Sequence, residues 1–296
     1  MKLLTLNCHS WLEEEQLYKI KYLAKTIVEE KYDVIALQEA SQSIKASIKE
    51  GNLKEDNYGL ILIEEINKLG GEKYHLVWDY SHIGYDIYEE GLCILTKHKI
   101  VNSESFYISK SHCKTFWRSR KIVKATIDIN NENIDFYSCH MGWWHDKEES
   151  FTFQVENLLA HAKESKNRAF FMGDFNNNAF LKNEGYDFLK SNGLIDTYDL
   201  AENKDSGVTV NKNIAGWEDN TGELRIDIIF TNRNTKVYDS RVIFNGKNKE
   251  SFLSCIRSFW IRNRNYLVIY IKNSFKKDST SNKSYLYYFV FKRNNF

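Results

Sequence analysis

The stretch AFFMGDFNNNA, residues 169–179, places an apolar run directly before a carboxylate and a row of amides. The run AFFMG (169–173) has the length and composition of a buried strand, and the polar residues begin where it ends. Gly173 permits a close approach of the backbone, Asp174 offers a hard anionic oxygen or a base, and Asn176 offers a neutral donor for a phosphate oxygen. The alternative interpretation is an Asx-rich turn with no chemical role.

Working outward, several other apolar runs also carry a polar residue at one end. LLTLN (3–7) ends in Asn7, DVIALQE (33–39) ends in Glu39, and His140 follows IDFYSC (134–139). Polar residues at the ends of buried strands converge on one rim of a sheet, where binding sites form. Taken singly, each has a simpler interpretation, because a strand-end Asn often forms a turn and a lone His is often only held by hydrogen bonds.

A further carboxylate, Asp227, stands in the otherwise apolar run RIDIIFTN (225–232). A buried carboxylate requires a partner, and the simplest candidate is an ion pair with Arg225. The alternative is that Asp227 belongs to the same rim as the other polar residues.

The predicted elements follow one another in an α/β order. Apolar residues recur at helical spacing between 12 and 30, and shorter apolar runs elsewhere predict strands. The predicted helices are 12–30, 150–165 and 183–191, and the predicted strands are 3–7, 33–39, 75–79, 91–96, 122–129, 134–139, 169–173, 225–232 and 236–244. This order predicts an α/β protein with a mixed sheet and one domain over residues 1–250.

Composition excludes some classes of function. The 296 residues are 42% apolar and 27% charged with a net charge of +1, so no overall charge draws the chain to nucleic acid. Five cysteines without a CxxC pair predict reduced thiols, which are typical of a reducing compartment. The N-terminal apolar run is too short for a signal peptide, and no run reaches membrane-spanning length. We therefore expect a cytoplasmic enzyme without membrane contact, whose oligomeric state the sequence leaves open.

Taken in order, the motifs LTLNCH, LQEA, EGLCIL, SCHMG, GDFN and RID resemble those of the endonuclease/exonuclease/phosphatase superfamily, also called DNase I-like. The resemblance extends from residue 1 to about residue 245. It implies a four-layer α/β/β/α sandwich, with two packed mixed β-sheets flanked by helices. It also implies hydrolysis of a phosphoester by in-line attack of water, with Mg²⁺ or Mn²⁺ as cofactor.

The resemblance assigns a role to each matching residue. Glu39 is the expected main metal ligand, with Asn7 beside it, and a cation with few protein oxygens and several waters suits Mg²⁺. His140 is expected to bind the scissile phosphate and to help the leaving group depart. Glu90 of EGLCIL is expected to orient His140.

The second half of the resemblance supplies the remaining expected catalytic residues. Asp174 is expected to position or deprotonate the attacking water, and Asn176 to hold a phosphoryl oxygen as charge develops there. Asp227 is expected to orient a second histidine. Arg118 or Arg120 of FWRSRK is expected to face the phosphate.

The expected substrate is a small phosphorylated molecule. Trp143, Trp144 and His145 directly follow the catalytic histidine motif, so we expect them to form a wall of the substrate pocket that could pack on a sugar face; the alternative is core packing. The LNCHSW start and the GWWHD loop most resemble bacterial cytoplasmic members of the superfamily, such as maltose 6'-phosphate phosphatase. A nuclease is disfavoured, because KSHCKTFWRSRK (110–121) is the only basic stretch that could contact nucleic acid.

One motif of the superfamily is missing. Its last element is Ser-Asp-His, but the chain reads SCIRSFWIRNRN at 254–265, and its last histidine is His161. With A/T-rich codons, the second-base reading frame of this stretch encodes VSDHFGLEIEII followed by a stop. We therefore predict a one-base shift between about residues 245 and 254, with 251–296 an atypical, out-of-frame tail. We expect the 296-residue form to be nearly inactive.

Two alternatives stay open at this point. The tail could be genuine and divergent, in which case it should pack as a strand in the sheet. The chain could also be a non-catalytic protein that keeps the fold, and nuclease and sphingomyelinase-like phosphodiesterase activities remain alternatives to a phosphatase.

Overall fold

A computed structural model describes residues 1–211, 214, 216–217, 220, 222–244 and 266–271. Within these residues the helices are α1 (Gln16–Glu30), α2 (Tyr58–Lys68), α3 (Phe151–Lys163), α4 (Gly185–Ser191) and α5 (Thr197–Leu200). The strands are β1 (Lys2–Asn7), β2 (Val34–Gln38), β3 (Gln42–Ser43), β4 (Ile48–Glu50), β5 (Leu53–Lys54), β6 (His75–Gly84), β7 (Tyr88–Thr96), β8 (Lys99–Tyr107), β9 (Lys121–Ile129), β10 (Glu132–His140), β11 (Arg168–Asp174), β12 (Ile195–Asp196), β13 (Ala201–Lys204), β14 (Asp227–Thr231), β15 (Val237–Ile243) and β16 (Tyr266–Ile271).

The strands form two large mixed sheets. The first has the order β13-β15-β16-β1-β2-β7-β3, with β6 also paired to β7, and the second has the order β12-β14-β11-β10-β9-β8. Strands β1 and β2 are parallel, as are β10 and β11, while most other neighbours are antiparallel. Strands β4 and β5 form a separate small hairpin.

Three apolar layers hold the molecule together. Between the two sheets, Leu3 and Val34 of the first meet Phe136 and Phe170 of the second in one cluster. A second cluster joins the outer face of the first sheet to α1 and α2, and a third joins the outer face of the second sheet to α3 and α4. Because strand side chains alternate between faces, each sheet is buried on both sides, and the predicted four-layer α/β/β/α sandwich is confirmed.

Most predicted elements are present, with shifts of a few residues at their ends. The predicted strand 225–232 begins only at Asp227, so this carboxylate lies at the first position of β14 rather than inside it. Helix α2, strand β8 and several short elements were not predicted. Strand β8 is mostly exposed and lacks an apolar alternation. None of the helices in the described ranges is long and apolar enough to cross a membrane.

The predicted boundary at residue 250 lies outside the described residues, as do 245–265 and 272–296. Of the predicted tail, β16 is described, and it lies between β1 and β15, antiparallel to both. This is the position in which a tail that belongs to the fold would pack. The division into a 1–250 domain and an out-of-frame tail stays a prediction.

Candidate active site

The candidate site lies at one edge of the core between the two sheets. Its side chains belong to the same inward-facing rows of the strands as the apolar core residues. On β11, for example, Phe170 and Met172 lie in the cluster between the sheets, and Asp174 is the next residue of the same row. The same alternation places polar residues of four other strands at this edge of the core: Asn7, Glu90, His140 and Asp227. In the second sheet His140 pairs with Asp174, and Asp174 pairs with Asp227.

A buried set of hydrogen bonds joins the two sheets at this edge. The Asn7 side chain donates through Nδ2 to Glu39 Oε1 at 2.6 Å and to Asp174 Oδ2 at 3.0 Å. Asn7 and Asp174 are both essentially inaccessible to solvent. Glu39 adopts a φ of 53°, a left-handed conformation that is uncommon for a residue other than glycine and often occurs at functional sites. Asn7, Glu39 and Asp174 thus form one contiguous group, as the motifs predicted.

His140 lies between two carboxylates. Its Nε2 is 3.9 Å from Glu39 Oε1 and its Nδ1 is 4.0 Å from Glu90 Oε1. On the far side of Glu90, His82 places Nε2 3.4 Å from the same oxygen and Nδ1 3.2 Å from the carbonyl of Ser119. Burial, and then the charge of Arg120, lower the pKa of His82 to about 4, so this second imidazole is neutral at pH 7. Glu90 therefore lies beside His140, and its orienting role stays a prediction.

The amide of Asn176 is fixed by the loops around it. Its Nδ2 donates to the carbonyl of Met141 at 2.9 Å, and its Oδ1 accepts from Trp217 Nε1 at 3.5 Å. The Asn176 backbone N–H donates to Asp174 Oδ1 at 3.0 Å, and its φ of 49° is left-handed. These two hydrogen bonds fix the orientation of the Asn176 amide, and with it the direction of the second Nδ2–H.

The two candidate arginines occupy different environments. Arg118 is paired with Asp146 at 2.8 Å and with Glu148 at 3.0 Å on the surface. Arg120 is only 3% exposed, and its Nη1 donates to the carbonyl of Trp117 at 2.8 Å. Of this pair, Arg120 is therefore the residue placed to face a buried anion.

The adjacent tryptophans Trp143 and Trp144 point to different places. Trp144 packs against Phe151 and Phe188 in the cluster beneath α3 and α4, so core packing accounts for it. Trp143 instead meets Trp117 edge-on, with ring centroids 6.0 Å apart. Trp143 therefore lies near the candidate site while Trp144 packs against the core, and the wall role of Trp143 stays a prediction. His145 is largely exposed beside Glu184.

Asp227 does not form the predicted ion pair with Arg225. Arg225 instead pairs with Asp196 at 2.7 Å, and it also donates to Tyr186 at 3.2 Å. This buried network anchors the loop before β14 and leaves the Asp227 carboxylate at the edge of the site. An ion pair with Arg225 therefore does not explain the carboxylate at position 227.

The side chains present suit a hard cation held by few protein ligands. The described part of the chain contains no group of three or more His, Cys, Asp or Glu residues that could hold a metal ion by themselves. The cluster offers the carboxylates of Glu39 and Asp174, and Mg²⁺ typically binds one or two carboxylates and keeps several waters. The Asn7 amide donates to both carboxylates through Nδ2, and its Oδ1 accepts from the His9 backbone N–H at 3.1 Å. This oxygen-only donor set fits Mg²⁺ or Mn²⁺ and does not fit a metal that requires thiolates.

Sequence reasoning missed several residues at this site. His82, Trp117 and Trp217 all contact its members, but none follows a strand end in an apolar run. Gln38 of β2 also donates to Ser138 of β10 at 3.1 Å and ties the two sheets together beneath the site. The only sequence signal for Gln38 was a polar residue within the inward-facing row of a buried strand.

Comparisons with known proteins agree with this geometry. The family described as "Endonuclease/Exonuclease/phosphatase family" matches residues 11–249. A solved "endonuclease/exonuclease/phosphatase family protein" from Leptotrichia buccalis is 38% identical, with 92% of this chain and 100% of that chain covered and a TM-score of 0.82. No curated protein matches the chain.

More distant structures share the fold. A "mannosyl-6-phosphatase" from Bacteroides thetaiotaomicron has a TM-score of 0.64 at 16% identity, over 92% of this chain and 100% of that chain. A truncated TDP2 from Caenorhabditis elegans has a TM-score of 0.55 at 14% identity, over 92% and 97%. The family match over most of the length and the 38% identical relative show that this chain belongs to the endonuclease/exonuclease/phosphatase family.

Proposed function

We propose that the protein is a divalent-metal-dependent phosphatase that acts on a sugar phosphate or a similar small phosphorylated molecule. The single observation that carries this proposal is the buried guanidinium of Arg120 beside the carboxylate and histidine cluster. Family membership makes phosphoester hydrolysis the general reaction class.

Arg120 is suited to bind a phosphate group. Burial lowers its pKa, and the charges of Glu90, Glu39 and Asp174 oppose that effect, so the cation lies close to the cluster. None of the described carboxylates approaches it within ion-pair distance, and its buried Nε has no hydrogen-bond partner among the described residues. A planar guanidinium with an unused donor favours a bound oxyanion, because a phosphate can accept two of its N–H groups at once.

The remaining residues then take complementary roles around that phosphate. Asp174 holds the attacking water and accepts its proton, while the directed N–H of Asn176 donates to a phosphoryl oxygen. His140 donates to the departing oxygen, and Glu90 keeps its imidazole oriented. A Mg²⁺ or Mn²⁺ ion held by Glu39 and Asn7 would supply Lewis-acid stabilisation of charge on the phosphoryl oxygens.

The charge of the surrounding rim supports a small substrate over a polymer. Arg118, which could have contacted a nucleic-acid backbone, is already paired with Asp146 and Glu148. A nucleic-acid-binding face normally presents a row of unpaired basic side chains. The mannosyl-6-phosphatase of the same fold adds support for a sugar phosphate. The four described cysteines are free, which supports the proposed cytoplasmic location.

The missing Ser-Asp-His motif favours a second possibility, a catalytically inactive remnant. Losing a general acid or base alone costs roughly 10²–10⁴-fold in rate. Resequencing the gene across codons 240–270 tests this directly. A one-base correction that restores VSDHFGLEIEII would make the corrected chain the enzyme, whereas an unchanged sequence would support the inactive remnant.

The substrate class is tested by a panel of reactions. The chain with the restored motif, incubated with Mg²⁺, is expected to release phosphate from hexose phosphates, and EDTA or Asp174→Asn should abolish that release. The 296-residue form should be at least about 100-fold slower. Cleavage of DNA or of sphingomyelin without any phosphatase activity would reject the proposal, and a normal rate for the 296-residue form would reject the role given to the missing motif.

A further inference from the structure

Two consecutive residues of the loop before β14 lie against the site. Gly216 has a φ of 80°, and a Cβ placed on it would lie 2.5 Å from Cζ2 of Trp143. The neighbouring Trp217 donates to Asn176, as described above. The backbone at Gly216 therefore packs against the Trp143 indole, and Trp217 contacts the Asn176 amide.

Trp143 also lies near Arg120 and a second indole. The Arg120 guanidinium lies 5.8 Å from its ring centroid. Trp117 meets it at an interplanar angle of 64° and is 45% exposed. The buried Nε1 of Trp143 has no hydrogen-bond partner among the described residues. Together Trp117 and Trp143 form an L-shaped aromatic wall next to Arg120.

The charges named around this wall sum to zero, because the guanidinium groups of Arg118 and Arg120 offset the carboxylates of Asp146 and Glu148. Arg118 lies 4.1 Å from the centroid of Trp117, but both Asp146 and Glu148 pair with it, so two carboxylates surround one guanidinium. Arg118 is already paired with both carboxylates, which disfavours a second phosphate or a nucleic-acid backbone at Trp117. A neutral ring with hydroxyl groups would instead place an apolar face on the indoles and donate hydrogen bonds to the carboxylates.

We propose that Trp117 and Trp143 form the leaving-group subsite, and that it takes a neutral pyranose ring whose phosphate is bound by Arg120. This proposal rests on the proposed phosphatase function and specifies its substrate. Because Gly216 supports Trp143 while Trp217 holds Asn176, the wall is connected to the catalytic amide through adjacent residues of one loop.

Binding measurements on the 296-residue chain test this subsite without requiring turnover. Isothermal titration with Mg²⁺ present compares a hexose 6-phosphate with ethyl phosphate, which carries the same phosphate but no ring. Stacking on an indole typically contributes enough for roughly a tenfold change in affinity, so the hexose 6-phosphate should bind about tenfold more tightly.

Two pairs of variants locate the effect. Trp117→Ala should reduce the affinity ratio between the two ligands to about twofold, whereas Phe180→Ala, which removes an aromatic side chain of similar exposure (48%), should leave the ratio at its wild-type value. Gly216→Ala should also reduce the ratio by displacing Trp143, whereas Gly222→Ala, whose Cβ would meet nothing closer than 4.0 Å, should not.

The outcomes separate the two proposals. Equal affinities for the two ligands, or an unchanged ratio in Trp117→Ala, would overturn the subsite while leaving phosphate binding intact. Failure of both phosphates to bind would overturn the proposed function and, with it, the subsite.

Discussion

Replacing Gly173 with alanine tests how the site is built into the sandwich. Gly173 pairs with Cys139 in the parallel ladder of β10 and β11, one residue before the pair of His140 and Asp174. A Cβ at position 173 would lie 1.9 Å from the carbonyl oxygen of Cys139, and its φ of 157° is rarely adopted by residues with a side chain. Since Cβ atoms essentially never approach backbone oxygen within 3.0 Å, the strands must separate by about 1 Å.

The cost follows from the contacts that this separation disturbs. Forcing a methyl group into a packed core costs about 1–3 kcal/mol, and each weakened ladder hydrogen bond adds about 0.5–1.5 kcal/mol. We therefore expect Gly173→Ala to lower the free energy of unfolding by about 3 kcal/mol or more, measured by urea denaturation with circular dichroism. Gly222→Ala, the matched control with open space around its Cβ, should stay within about 0.5 kcal/mol of wild type. A Gly173→Ala variant as stable as this control would refute the close packing of β10 on β11.

Two further predictions concern ionic contacts. Burial tends to raise the pKa of Asp33, but hydrogen bonds, led by that from His98, lower it to about 2. The interactions of the Asp33 carboxylate therefore stabilise the fold above pH 4, and this stabilisation is lost as the pH falls from about 4 to about 2. Asp33→Asn should cost about 2 kcal/mol at pH 7, and this difference in urea denaturation should vanish near pH 2; a pH-independent difference would contradict it. Asp196→Asn leaves the buried Arg225 without its carboxylate and should cost about 3–5 kcal/mol, whereas Asp199→Asn, which breaks an exposed pair, should cost under about 1 kcal/mol; equal losses would contradict the buried network.

The sequence predicted the strand-end residues of the site better than the loop residues that surround them. Asn7, His140 and Asp174 were found because each lies at the end of an apolar strand, and the alternation of side chains continues the inward row into the site. Such a periodic signal is local to each strand. The hydrogen bonds from Asn7 to Glu39 and Asp174 then follow from packing one sheet on the other.

The loops carry no comparable periodicity. Trp143 and Trp144 are adjacent in sequence, yet one lies beside the site and the other in the core, because the direction of a loop side chain depends on long-range packing. The same holds for Arg118 and Arg120, whose environments differ only once Asp146 and Glu148 are in place. Trp217 could not be predicted at all, since its contact with Asn176 spans 41 positions.

The proposed metal centre is tested by titrating the 296-residue chain with Mn²⁺ and following the free ion by electron paramagnetic resonance. We expect the chain to bind Mn²⁺ and Glu39→Gln to weaken that binding by at least about tenfold, since a carboxylate is the preferred ligand of a hard cation. Glu13→Gln is the matched control, because Glu13 is engaged by His9 and Lys19. It should bind Mn²⁺ like the wild type. Equal binding by the wild type and Glu39→Gln would contradict the assignment of the metal centre.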